Sequence, residues 1–247
     1  MKIAFAGASA TGKTTLTKYL AEQFNLLINP HGSRSMAKEM GFVNEKGDGD
    51  PYAVDRAFLS SYENGLRNGD AEYAAGISRV HFDDPYILRN IRESGGDPHN
   101  VPTVRSLFQK KLQAKKIEWE RHPVNVESQA PAGATGFVTD RTTLDDLAYT
   151  LMHAPDVVDA EFKERAYAHL DLYDVIFYTP LAAGQWLGDD PARVPDPMYH
   201  WRYDVLLRGL LVDSGAQIVR PLWSPDLESR KQHVLQVAKA YFLGETR

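Results

Sequence analysis

The sequence predicts an α/β protein: an open parallel sheet of about five strands, helices on both faces, a helical insertion and a lid. Three observations predict it. Short apolar runs alternate with amphipathic stretches, the order in which parallel strands and crossover helices follow one another. A Gly-rich turn at residues 7–14 lies between the first run and the first helical stretch. A second apolar run, Gly136-Phe137-Val138-Thr139, ends in Asp140 and passes at once into another helical stretch.

The first element, Lys2-Ile3-Ala4-Phe5-Ala6, reads as a short buried strand, and Thr15 to Phe24 as an amphipathic helix. Between them Gly7, Ala8, Ser9, Ala10, Thr11, Gly12, Lys13 and Thr14, with Thr15 at the helix start, match G-x-x-x-x-G-K-[ST] in a strand-to-helix setting. The pattern is a phosphate-binding loop. Its glycines permit a tight turn, and consecutive backbone N–H groups and the positive end of the helix converge on phosphate oxygens. Lys13 is expected to reach the β- and γ-phosphates of a nucleoside triphosphate, and the Thr14 hydroxyl to take one position on Mg²⁺.

Leu26 to Asn29 predicts a second strand, Ser33 to Met40 a helix, and Asn44 to Pro51 a polar loop. Residues 52 to 66 carry apolar side chains near helical spacing, whereas 68 to 102 are broken by Asp84-Pro85, Gly95-Gly96 and Val101-Pro102. A stretch of this kind suits substrate recognition. A helix is expected from Pro102-Thr103, with Leu112, Ile117 and Trp119 toward the core. Its Lys110, Lys111, Lys115 and Lys116 form either a solvated face or a contact to a phosphate backbone. Residues 122 to 135 read as a connection that could hide a strand at Val124 to Val126.

The run ending at Asp140 places that acid at the carboxyl end of a parallel strand, where ligands bind in open α/β sheets. A carboxylate there can hold Mg²⁺ through water or accept a proton from an attacking hydroxyl, and Arg141 offers a fork to a phosphate. The alternative is that Asp140 caps the next helix and Arg141 is solvated. Helices near 143–153 and 160–170 lead to the strand Asp174 to Thr179. An acidic, Pro-rich loop at 188–197 then precedes a helix from Tyr199 to Val212, a strand from Ala216 to Arg220 and a helix from Pro225 to Phe242. Arg193 on the loop and Arg202 on the helix are candidates to close over the phosphates, with a lid at about 184–202.

Composition bounds the rest. A net charge of −5 over 247 residues argues against a surface coated for nonspecific nucleic-acid binding. The absence of cysteine excludes disulfides, Cys-ligated zinc and a thiol nucleophile. No apolar run approaches the roughly 18 residues that span a bilayer, and the N-terminus does not read as a signal peptide. The chain is therefore expected to be soluble and cytoplasmic, in host cytoplasm if phage-encoded.

With these residues in hand, the chain resembles the nucleoside and nucleotide kinase branch of the P-loop enzymes. Asp140-Arg141 followed by Leu147-Ala148-Tyr149 is similar to the D-R-x…S-x-x-A-Y element of thymidylate kinases. The order of the later parts is closer to the kinase domain of nicotinamide riboside kinases, which phage-encoded kinases of 5-hydroxymethyluracil in DNA also resemble. The resemblance spans residues 1–23 and 136–242. It implies a single kinase domain over 1–247 with ATP as donor, Mg²⁺, and a nucleoside-like acceptor, free or within DNA. Where such kinases carry E-x-x-R after the second strand, this chain has His31-Gly32-Ser33-Arg34. Arg34 is retained and the acid is missing, so the role of base falls on Asp140. The acceptor region is expected within about 44–135, with Arg34 and Gln109 as acceptor-binding candidates. A P-loop ATPase acting as switch or motor, with water as acceptor, is the competing class. The lack of an N-K-x-D stretch argues against a GTPase, and Arg141 stands where a motor ATPase would carry a second acid.

Overall fold

The six residues Lys2–Gly7 form β1, and their alternation decides the layering of the molecule. Successive strand side chains point to opposite faces. Ile3 and Phe5 enter one core with Leu16, Leu20, Val138, Val175, Phe177 and Val234. Ala4 and Ala6 enter the other with Phe137, Leu147, Phe162, Ile176, Tyr203 and Leu207. A strand buried on both faces must be central, and β1 is.

The computed structural model describes residues 1–32, 101–122, 134, 136–153, 155, 158–181 and 197–244, without the side chains of 101–109 and 153. After β1 come α1 (Lys13–Phe24), β2 (Leu27–Ile28), α2 (Val101–Arg121), β3 (Phe137–Asp140), α3 (Thr143–His153) and α4 (Ala160–Ala168). A 3₁₀ turn at His169–Leu172 leads to β4 (Val175–Thr179), followed by α5 (Pro197–Asp213), β5 (Val219–Pro221) and α6 (Leu227–Phe242). The strands lie in the order β2-β3-β1-β4-β5. All four pairings are parallel, with Phe5 opposite Asp140 and Gly7 opposite Thr179. Helices α1 and α6 cover one face, and α2 to α5 the other. This is the expected five-stranded α/β fold.

The chain moves from β3 across β1 to β4, so the crevice at the carboxyl ends of β1 and β3 is where such sheets bind ligands. Both informative sequence stretches end there. The predicted helices at 33–40 and 52–66, the strand at 124–126 and the Pro-rich loop with Arg193 lie outside the described residues, as do Arg34 and the Gln109 side chain. Gln109 itself lies on α2.

The lysines of α2 correct one expectation. Lys116 is neither solvated nor placed for a phosphate backbone. It is 1% exposed and its Nζ donates to Asp146 Oδ2 of α3 at 3.0 Å. Burial pushes the Asp146 carboxyl above its ordinary value, and the Lys116 charge opposes that shift. Lys110 pairs with Asp159 at 2.6 Å, and Asp159 is the N-cap of α4.

Beneath the same face, Glu120 accepts from Asn29 Nδ2 and the Tyr173 hydroxyl and meets His169 Nε2, each at 2.6 Å. Asn29 Oδ1 also accepts from the His31 N–H at 2.8 Å. The end of α2 thereby fixes the exit of β2.

Candidate functional site

The turn from β1 into α1 has the conformation its sequence requires. Gly7 (φ 144°) and Gly12 (φ 90°) both occupy the positive-φ region, and Ala10 joins them at 59°. At Gly7 a Cβ would sit 2.3 Å from both the carbonyl oxygen and Oγ1 of Thr179, so glycine is needed for space as well as torsion. The far side of the loop is tied down by hydroxyls. Thr179 Oγ1 donates to the Ala6 carbonyl at 3.0 Å, and Thr11 Oγ1 lies 2.7 Å from Thr179 Oγ1 and 3.0 Å from the Ala8 carbonyl.

Helix α1 begins with no side-chain cap and no acid in its first turn. Its first N–H groups therefore keep their capacity to donate, and no acid of its own first turn competes for its positive end. Lys13 is 4% exposed and its ammonium donates to the Ala8 carbonyl across the loop. Asp204 of α5 lies near that charge: burial pushes its carboxyl up, and Lys13 is among the groups that pull it down.

Thr14 Oγ1 donates to Asp140 Oδ2, which joins the start of α1 to the end of β3. The second oxygen, Asp140 Oδ1, is buried and takes no hydrogen bond from a described residue. A buried carboxylate oxygen without a donor is an incomplete environment. A hydroxyl and a carboxylate, with one oxygen still to be satisfied, fit a hard cation such as Mg²⁺, which takes oxygen ligands and keeps several waters. No cluster of three or more His, Cys, Asp or Glu side chains suited to a metal occurs among the described residues. A dedicated protein cage is thus not how these residues would hold one.

Asp140 does not cap α3. That role belongs to Thr142 and Asp145, which form a reciprocal box. Thr142 Oγ1 faces the Asp145 N–H at 3.3 Å, and Asp145 Oδ2 accepts from the Thr142 N–H at 2.9 Å. The box leaves Asp145 Oδ1 directed at the phosphate loop, where it accepts from the Gly7 N–H at 3.1 Å and the Tyr203 hydroxyl at 2.9 Å. One fully buried acid therefore holds β1, the β3–α3 turn and α5 together.

Arg141 is not a solvated side chain. Its backbone has φ 98° and its N–H donates to the Phe5 carbonyl at 2.8 Å. Positive φ is uncommon away from glycine. Its guanidinium donates to Ser9 Oγ at 3.2 Å and the Tyr203 hydroxyl at 3.3 Å, lies 3.8 Å from Asp145 and stands 5.0 Å over the Tyr149 ring. Burial works against its charge, but Tyr149, Tyr203, Asp145 and Asp140 more than offset that and hold its pKa well above the ordinary arginine value. The result is a fixed cation beside the third residue of the loop. Tyr149 also reaches Ser9 Oγ at 3.3 Å and packs on Tyr203 with ring centroids 4.4 Å apart.

The loop residues Gly7 to Thr14, Asp140 and Arg141 are thus brought together. Thr15 is exposed on the first turn of α1, and Arg202 is exposed on α5, where the neighbouring Tyr203 and Asp204 turn inward. Sequence reasoning missed Asp145, Thr179, Tyr203 and Arg230, and had Tyr149 only as part of the Asp140-Arg141 element. Arg230, on α6, donates from Nη1 to the Thr11 carbonyl at 2.7 Å. For two of them a signal existed: Thr142-x-x-Asp145 is a capping-box spacing, and Arg230 shares a four-residue repeat with Val234 and Ala238.

No protein-family model matches the chain. No curated protein matches it either. Among solved structures it is similar to deoxyadenosine kinase from M. mycoides with products dCMP and dCDP bound, at a TM-score of 0.50 and 10% identity. That match covers 98% of this chain and 100% of the other. The dATP-bound form of the same enzyme matches at 0.49 and 10%, covering 97% and 99%. NadR protein in complex with NR matches at 0.46 and 14%, covering 98% of this chain and 50% of that one. At such identity the likeness establishes the fold alone: the chain shares the α/β architecture of that deoxyadenosine kinase.

Proposed function

We propose that the protein is a kinase transferring the γ-phosphoryl group of ATP to a hydroxyl or phosphate of a nucleoside-like acceptor, free or as a 5-hydroxymethyluracil-type base within DNA. The observation that carries this reading is the junction of Thr14 with Asp140 beside the buried Lys13. Phosphoryl transfer asks a protein chiefly for positioning and charge stabilisation. The loop amides and Lys13 bind and orient the triphosphate. Thr14 and Asp140 would hold Mg²⁺, which when bound neutralises charge on the β- and γ-phosphate oxygens. Asp140 also accepts the proton of the attacking hydroxyl, since the acid of E-x-x-R is replaced by His31 in this chain. Arg141, held beside Ser9, stabilises charge on the transferred group.

In this reading one kinase domain spans 1–247, with the acceptor region at about 44–135 and a lid at about 184–202. Arg193 and Arg202 close over the phosphates, and Arg34 and Gln109 contact the acceptor. The nucleoside-like class of acceptor follows from the sequence resemblance. The deoxyadenosine kinase with dCMP and dCDP bound lends support by analogy, fold alone never fixing a substrate. The enzyme works in the cytoplasm.

The test is transfer of label from γ-labelled ATP, with Mg²⁺, to free nucleosides, mononucleotides, nicotinamide riboside and hydroxymethyluracil-containing DNA. Label appearing in one acceptor class supports the reading and names the substrate. Release of inorganic phosphate at a rate that no acceptor alters refutes it in favour of an ATPase.

A further inference from the structure

Arg230 is a buried cation that the phosphoryl-transfer scheme does not use. It lies on the inward stripe of α6 and is 2% exposed. Its guanidinium spans two carbonyls from different segments: Nη1 donates to Thr11 of the phosphate loop at 2.7 Å, and Nε donates to Ser224 in the β5–α6 connection. Its Nη2 is buried without a partner among the described residues. Burial pulls its pKa below the ordinary arginine value. A charge is kept buried where its hydrogen bonds hold something in place.

We propose that Arg230 is a positioning residue for the phosphate loop: by holding the Thr11 carbonyl outward, it turns the Gly12 N–H into the concave side that receives a phosphate. The inference rests on the triphosphate-binding reading and deepens it. A trans peptide unit is planar, so its carbonyl and the following N–H point in opposite directions. Among the described residues no peptide is cis. Fixing the Thr11 oxygen against α6 therefore fixes the direction of the Gly12 donor, with no contact between Arg230 and ligand. The Thr11 side chain is anchored separately, by the Ala8 carbonyl and Thr179 Oγ1, so the peptide is held from two sides. No hydrogen bond to a described residue engages the Gly12 N–H itself. The N-terminus of α6 is set independently by Asp226, which accepts from the Ser229 N–H at 2.7 Å. The helix can thus serve as a fixed post for the arginine.

The experiment uses the full chain and two variants, Arg230→Met and Arg230→Lys. Equilibrium binding is measured for Mg·ATP and for Mg·tripolyphosphate, a probe with neither base nor sugar, alongside the thermal midpoint. Loss of a charge-assisted hydrogen bond that aims one donor corresponds to about tenfold in affinity. Arg230→Met is expected to weaken both probes by that factor. Arg230→Lys, which can reach one carbonyl, is expected to recover part of the loss for both. A lowered midpoint with both affinities unchanged would make Arg230 a structural brace and overturn the proposal. A loss confined to ATP would overturn it too, assigning Arg230 to the 222–226 connection. If the Met variant does not fold, the Lys variant decides: affinities equal to wild type refute the assignment, and an equal loss for both probes supports it. A wild-type chain that binds neither probe refutes the triphosphate reading itself, a failure distinct from that of Arg230.

Discussion

Replacing Asp145 with asparagine is expected to cost about 3–5 kcal/mol of folding stability, although it alters one atom. Asp145 is 0% exposed and receives four hydrogen bonds: Gly7 N–H and the Tyr203 hydroxyl on Oδ1, the Thr142 N–H and hydroxyl on Oδ2. An asparagine must place its NH₂ where one of these oxygens stood. Whichever way the amide is turned, it confronts a backbone N–H that cannot rotate away, at Gly7 or at Thr142. A buried donor left without an acceptor costs about 1–3 kcal/mol, and hydrogen bonds to a charged group contribute about 1.5–3 kcal/mol each. The Arg141 guanidinium, 3.8 Å away, also loses a negative neighbour. Guanidinium denaturation followed by the fluorescence of the four tryptophans measures the loss. Tyr203→Phe, which removes one donor to Asp145 and one acceptor from Arg141, should cost less, about 1–2 kcal/mol. A stability of Asp145→Asn within 1 kcal/mol of wild type, or a ranking in which Tyr203→Phe is the worse, would refute Asp145 as the organiser of the loop.

Asp140→Asn should lower turnover by a factor of about 10²–10⁴ with a stability near wild type; a loss below tenfold in a steady-state assay would remove Asp140 from the chemistry. Lys116→Met leaves the Asp146 carboxyl buried without its partner and should cost about 3–5 kcal/mol, whereas the Lys116→Met/Asp146→Leu double variant should regain most of it, as urea titration would reveal. Asp226 has its pKa lowered by the Ser229 hydrogen bonds, so its cap stabilises the fold above the ordinary carboxylate value of 3.8 and fails as pH falls through the lowered one. Asp226→Asn, which keeps a capping oxygen but no titration, should leave the thermal midpoint at pH 7 nearly unchanged and flatten its decline below about pH 4.

The sequence was most legible where chemistry is local. Gly7 to Thr14 is one contiguous pattern, and Asp140 closes a strand whose direction follows from the alternation around it. The capping-box spacing of Asp145 was legible but its reach to the phosphate loop was not, because an acid in the first turn of a helix already has a sufficient explanation in the cap and the helix dipole. Its partners Gly7 and Tyr203 lie 138 and 58 residues away. Arg230 reaches Thr11 across 219 residues, a relation no local pattern encodes. Lys116 teaches the complementary lesson. Counted with Lys110, Lys111 and Lys115 it looks like a basic surface, yet helical spacing puts it on the stripe of Leu112, Gln113, Trp119 and Glu120, all buried. A charge on an apolar stripe signals a buried partner, and the same rule applied to Arg230, Val234 and Ala238 would have singled out α6.

The place of β1 in the sheet has a consequence during synthesis. Lys2 to Phe5 pair with Phe137 to Asp140 on one side, and Ile3 to Gly7 with Val175 to Thr179 on the other. At roughly 5–20 residues per second, the ribosome needs about 7 to 26 seconds to reach the first of those partners. For that interval the central strand of the sheet has been made and neither of the strands that flank it has. Its closure then depends on long-range contacts, which form slowly. The phosphate loop, although it precedes them in the chain, takes shape only after Thr179 and Arg230 have emerged to hold it.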